Sequence, residues 1–156
     1  MISHSQEETK AFAEQFAKKL RSGSILALVG PLGAGKTCFV QGLARGLGIP
    51  EKITVSSPTY VLIHEYPKGN LPLYHFDFYR LQSKSEAYDL NLEEYFHGKG
   101  VSVVEWADHF PDLFPEKTRW IYFGVIGENI REVRLRHSCE SRNPGILIPG
   151  SPLSRG

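Results

Sequence analysis

Apolar residues in the first fifty positions recur with two different periods. Phe12, Phe16 and Leu20 stand four apart on a run that opens with Ser5 and Glu8 at capping-box spacing, which predicts an amphipathic helix over residues 6–21. Gly23 ends that pattern, and the unbroken run Ile25–Val29 has the make-up of a strand covered on both faces. Helical spacing returns from Lys36 through Cys38 and Phe39 to Leu47, where Gly48, Ile49 and Pro50 stop it.

Beyond residue 50 the pattern changes to strands. It predicts a strand at Ile53–Val55, a polar elbow at Ser56–Thr59, and an antiparallel hairpin joined at Pro67–Asn70, where Gly69 supplies the turn. Residues 83–96 read as one or two short helices, and Val101–Trp106 as a second buried strand. Residues 118–126 and 130–137 read as paired strands around Gly127–Asn129. In the latter strand Val133 and Leu135 share one face, with Glu132, Arg134 and Arg136 on the other, so one side is expected to be wet. From Ser141 onward proline, glycine and serine predict an irregular tail, in which the apolar residues 146–148 are suited to docking. The organisation expected is one domain over residues 1–140 followed by a tail over 141–156.

Composition narrows the picture only slightly. A chain of 156 residues is long enough for one core without metal or disulfide support. Its 18 basic and 17 acidic residues form no block of five like charges, which gives no reason to infer a broad nucleic-acid surface. Cys38 and Cys139 do not suggest a disulfide framework, and no apolar core of a secretory signal or membrane span is seen. The chain is therefore expected to be cytoplasmic, with no membrane partner.

The chemistry is concentrated between the first strand and the second helix. Gly30, then Pro31, Leu32, Gly33 and Ala34, then Gly35, Lys36 and Thr37 follow the full G-x-x-x-x-G-K-[ST] spacing of a phosphate loop. Glycines let successive backbone N–H groups turn inward around phosphate oxygens, and the helix that follows adds unpaired N–H groups and partial positive charge. Lys36 is placed to reach the β and γ phosphates and Thr37 to hold Mg²⁺; Cys38 lies next along the same helix start. The preceding apolar strand and following helix are the context that this motif requires.

Magnesium-dependent phosphoryl chemistry also needs a carboxylate across from the loop. Glu105, at the end of the second buried strand, is the candidate, holding the ion through water, orienting an attacking water, or both. Asp77 sits among aromatics and needs a partner if buried: either the metal and water, or Arg80 in an ion pair. His75 shares its strand face, but the two alone are a thin basis for zinc. Thr59, after Pro58, is placed to sense the γ phosphate as switch loops do. Trp106 follows Glu105, and strand alternation directs it to the other face, as either a core residue or a neighbour of the nucleotide. No Asn-Lys-x-Asp segment is present, which favours ATP over GTP.

The ordered series Gly30–Thr37, Ser56–Tyr60, His75–Leu81, Leu92–Phe96 and Val103–Trp106 resembles the bacterial TsaE family over roughly residues 5–137. That resemblance implies a P-loop α/β domain with a mixed central sheet flanked by helices, binding ATP with Mg²⁺ and hydrolysing it slowly alone. It also implies association with TsaD and TsaB, which form threonylcarbamoyladenosine at position 37 of tRNAs reading codons that start with A; tRNA is then reached indirectly. On the resemblance, Lys36 and Thr37 match the phosphate and magnesium ligands, Thr59 the switch-like threonine, Asp77 the strand aspartate, and Glu105 and Trp106 the Glu-Trp pair. Tyr60 stands where phenylalanine is frequent and Cys38 where a hydroxyl residue is common. The leading expectation is an ATPase controlling partner engagement. The alternatives are a small-molecule kinase, for which no arginine-rich lid is visible, and a nucleotide-gated binding module with incidental hydrolysis.

Overall fold

The computed structural model describes residues 1–137; the expected tail and domain boundary at residue 140 lie outside the described residues. In chain order the elements are β1 (Ile2–Ser3), α1 (Gln6–Ala17), β2 (Ile25–Val29), α2 (Lys36–Gly46), β3 (Ile63–Tyr66), β4 (Leu73–Asp77), α3 (Lys84–Tyr88), α4 (Leu92–Phe96), β5 (Val101–Glu105), β6 (Arg119–Val125) and β7 (Arg131–His137). The strands form a single mixed sheet in the order β1-β7-β6-β2-β5-β4-β3. Its middle is parallel, β2 pairing with both β5 and β6, and β5 with β4; the outer pairs are antiparallel. The expected α/β class with a mixed sheet and flanking helices is the fold observed. Among the described residues no helix is long and apolar enough to cross a membrane.

The buried runs explain the parallel middle. Every residue of β2 and β5 is buried, because helices cover both faces there. On one side α1 and α2 pack Phe16, Phe39 and Leu43 against Leu26, Leu28, Val103 and Phe123. The Phe39 ring meets that of Phe123 edge-on at 5.5 Å. On the other side Phe76, Phe78, Phe96 and Trp120 form a second cluster under α3 and α4.

Several boundaries differ from the sequence pattern. Helix α1 ends at Ala17 rather than 21, because the N–H groups of Lys18, Lys19 and Leu20 bond three residues back and tighten the last turn. Its cap also differs from a reciprocal box: Ser5 accepts from the Glu8 N–H, while the Glu8 carboxylate accepts from His4 rather than Ser5. The strand predicted at Ile53–Val55 is absent. The Ile53 N–H closes a turn onto Pro50, and the Val55 carbonyl is taken by the Gln41 side chain at 2.9 Å, leaving neither for a ladder. Leu135 is 48% exposed, so only Val133 of the expected apolar pair on β7 is buried. Two residues too few to show a period, Ile2 and Ser3, add β1 to the edge of β7.

The two covering helices touch through small residues. A Cβ on Gly42 would lie 2.7 Å from Cβ of Ala13 and closer still to the Lys10 carbonyl oxygen, and Gly46 meets Ala17 and Glu14 in the same way. Alanine is the better helix former by about 1 kcal/mol, yet Gly42→Ala should lower stability by about 1–3 kcal/mol through overpacking. The midpoint of urea unfolding checks this. A stabilised variant would mean that α1 and α2 separate freely.

Candidate functional site

The loop between β2 and α2 closes over the C-terminal end of the sheet, the usual place for a ligand crevice in parallel α/β folds. Gly33 and Gly35 have φ of 81° and 104°, a conformation that side chains rarely tolerate, and a Cβ on either would meet nothing within 4 Å. Conformation and not crowding therefore requires glycine there. The open space belongs to a cavity of about 790 Å³, the size of a small-molecule site. Ala34 is buried below the loop, whereas Leu32 is 82% exposed at its tip.

Lys36 is buried at the start of α2, donating to the carbonyls of Gly30 at 2.6 Å and Pro31 at 2.9 Å. Burial holds its ammonium below the usual lysine range, against the opposing pull of Glu105, Asp108 and Asp77. Thr37 faces across the cavity and donates from its hydroxyl towards both oxygens of Glu105, at 3.4 and 3.3 Å. A hydroxyl and a carboxylate so arranged are hard oxygen donors of the kind that suit Mg²⁺. Cys38 lines the same cavity, and burial pushes its thiol up from the ordinary value.

Glu105 and Asp77 are cross-strand partners on β5 and β4, each 2% exposed. Their partners differ. His75 Nε2 lies 2.6 Å from Glu105 Oε2, whereas Asp77 is held by oxygen and nitrogen donors from its own neighbourhood. Its Oδ2 accepts from Ser57 and, at 3.2 Å, from Thr59; its Oδ1 accepts the Tyr79 N–H at 2.8 Å. The suggested Asp77–Arg80 ion pair is not formed. The Arg80 guanidinium lies over the Tyr60 ring, 4.8 Å from its centroid. His75 is likewise turned to Glu105, and among the described residues no three His, Cys, Asp or Glu side chains converge to hold a metal ion.

Trp106 serves both of the settings expected for it, packing against the second apolar cluster while also lining the cavity. The strand ends at Glu105, and Trp106 adopts a left-handed φ of 59°, which brings its ring to line the same cavity as Glu105. The ring centroid is 4.0 Å from Lys36 Nζ, a cation–π contact, and 4.9 Å from the Tyr79 ring. A positive φ at a bulky residue has no signature in an alternating pattern.

Other residues at the site were not legible. Arg131 of β7 donates through Nε to the Gly33 carbonyl at 3.1 Å, a role that the strand pattern gave no sign of. With Asn129 it lines the cavity wall, and His4, Ser5, Gln6 and Thr9 line another part of it. Long-range pairing of β1 with β7 brings this N-terminal segment close, which local sequence does not encode.

Comparison with known proteins places this geometry. The family model described as "Threonylcarbamoyl adenosine biosynthesis protein TsaE" matches residues 3–133. The chain belongs to the TsaE family. The TsaE match takes in the loop, the elbow and both carboxylates. A Bacillus subtilis relative, "tRNA threonylcarbamoyladenosine biosynthesis protein TsaE", is 48% identical over 81% of this chain and 78% of its own. A Treponema pallidum protein of the same description is 42% identical over 85% of this chain and 96% of its own. The crystal structure of Bacillus subtilis YdiB superposes with a TM-score of 0.75 at 39% identity, covering 88% of this chain and 83% of that one.

The elbow's attachment generates a test. Replacing Asp77 by alanine leaves Ser57, Thr59 and the Tyr79 N–H without their acceptor, each a loss on the scale of about 1–3 kcal/mol where buried. Hydrogen exchange at residues 57–62 should therefore quicken at least tenfold in Asp77→Ala, more than exchange in β2. Unchanged exchange there would show that the elbow is held by other contacts.

Proposed function

We propose that the chain is an ATPase that acts in tRNA threonylcarbamoyladenosine formation by engaging TsaD and TsaB according to its bound nucleotide. One observation carries the reading: a phosphate loop whose Lys36 and Thr37 face the buried carboxylate of Glu105 across a single cavity. The descriptions of the relatives supply the pathway. ATP is favoured over GTP because the sequence has no Asn-Lys-x-Asp segment.

Each residue then has a task. Lys36 donates to two carbonyls and lies beneath Trp106; phosphate oxyanions are stronger acceptors and would replace those carbonyls. Backbone N–H groups from Gly33 to Cys38 would bind the phosphates at the N-terminus of α2. Thr37 and Glu105 would hold Mg²⁺, the glutamate directly or through water, and the bound ion would offset phosphate charge. Asp77 has both oxygens engaged, Oδ2 by the elbow and Oδ1 by the Tyr79 N–H, whereas Glu105 Oε1 has only the long contact to Thr37. Glu105 is thus the better residue to orient the attacking water, and Asp77 the anchor of Ser57 and Thr59. Trp106 shields the lysine from solvent.

Calorimetry with Mg²⁺ and ATP, paired with phosphate release, tests the assignment. Lys36→Ala should lose most nucleotide affinity. Glu105→Ala should keep affinity within about tenfold while hydrolysis falls by about two orders of magnitude, the scale of a positioned catalytic group. Wild-type turnover in Glu105→Ala would remove Glu105 from catalysis, and transfer of labelled phosphate to a soluble metabolite would point instead to a kinase.

Partner engagement is expected to involve the surface beside the elbow. Tyr60 is 83% exposed and Val61 60%, adjoining Thr59 at the cavity. The affinity of the TsaD–TsaB pair should be higher for the ATP-bound chain than for the ADP-bound or nucleotide-free one. Equal affinities in titrations of all three forms would count against nucleotide gating.

A further inference from the structure

His75 is fully buried, and the ATPase reading gives it no task. It stands two residues before Asp77 on β4, paired with Val103 of β5 and thus one step from the Glu105 position along the same strand face. Its Nε2 meets Glu105 Oε2 at 2.6 Å, while its Nδ1 is buried with no hydrogen-bond partner. A hydrogen on Nδ1 would be a buried donor without an acceptor, a costly arrangement. The hydrogen therefore resides on Nε2, and the bond runs from His75 to the carboxylate.

We infer that His75 is a positioning residue for Glu105, its Nε2–H fixing one carboxylate oxygen so that the group faces Thr37 and the phosphate cavity. This inference rests on the ATPase reading. A glutamate has three side-chain torsions, and Val103 and the other apolar neighbours on β5 offer no donor to restrain them. Thr37 contacts Glu105 only at 3.3 and 3.4 Å, too long to orient it alone. The short bond from a rigid, fully packed imidazole does so, in the manner of the outer groups that hold metal-binding and water-orienting side chains.

Two substitutions separate orientation from packing. The amide of His75→Gln reaches far enough to donate to Glu105, whereas that of His75→Asn falls short. In His75→Asn, ATP affinity should stay within threefold of wild type. Phosphate release should fall at least tenfold, and the Mg²⁺ midpoint of the ATP-loaded chain, read by tryptophan fluorescence, should rise at least threefold. His75→Gln should stay within about threefold of wild type in both, and His75→Asn should add nothing in a Glu105→Ala background. Should the asparagine variant fail to fold, the glutamine variant decides: near-wild-type values support the inference and a tenfold loss overturns it. A folded asparagine variant with unaltered hydrolysis and Mg²⁺ midpoint overturns the inference alone. Absence of magnesium-assisted ATP binding by the wild-type chain would instead overturn the ATPase reading, and this inference with it.

Discussion

A carboxylate taken out of water must be given hydrogen bonds or an opposite charge, and this chain buries two of them side by side at the C-terminal edge of its sheet. That constraint orders the site. Glu105 draws in His75 from the neighbouring strand and Thr37 from the start of α2; Asp77 draws in Ser57, Thr59 and the Tyr79 N–H. Segments distant in sequence are thereby fixed around one cavity, and the sheet beneath is rigid because both of its faces are packed. The buried Lys36 supplies nearby positive charge without a direct ion pair. Its hydrogen bonds go to loop carbonyls, and its charge is felt by both carboxylates.

The division of labour between the carboxylates follows from where their donors come from. Asp77 is satisfied by neutral donors, the Ser57 and Thr59 hydroxyls and the N–H of Tyr79, which on the ATPase reading leaves it to anchor the elbow. Glu105 is satisfied by one buried ring and one distant hydroxyl, which leaves acceptor capacity directed at the cavity. Trp106 follows from the same need for closure. By leaving the strand through a left-handed turn, it puts an aromatic face over the lysine while still packing against the second cluster.

Much of this was legible in sequence where the signal was local. The phosphate loop, both buried strands, the hairpin, the two short helices and the β6–β7 pair carry periodicity or spacing that fixes their type. Ile53–Val55 was misread because three apolar-leaning residues suggest a strand, whereas the Gln41 side chain, supplied from another element, takes the carbonyl that a ladder would need. The site was legible to the same extent. Lys36, Thr37, Asp77 and Glu105 are singled out by residue type and position, but the Asp77 partners, the left-handed turn at Trp106, the reach of Arg131 and the His75–Glu105 bond are tertiary facts. None has a periodic trace, since each depends on strand order, and that order places β4 beside β5 only after the chain has crossed the sheet.

The same topology gives the proposed nucleotide gating a physical route. Asp77 and Glu105 are paired across adjacent strands, so the group that would face phosphate and the group that holds the elbow share one rigid edge. The elbow in turn joins the exposed Tyr60 and Val61, and the Arg80 guanidinium lies over the Tyr60 ring. Thr59 spends its hydroxyl on Asp77 at 3.2 Å, a weak bond that a phosphate oxygen could outcompete. On the ATPase reading, a third phosphate offers Thr59 a charged acceptor that a diphosphate lacks, so ATP and ADP would differ in how firmly the elbow is drawn inward. A ligand shifts such an equilibrium only by its difference in affinity for the two positions. The exchange of one neutral-donor bond for another is small, which suits a reversible switch and not a large domain closure.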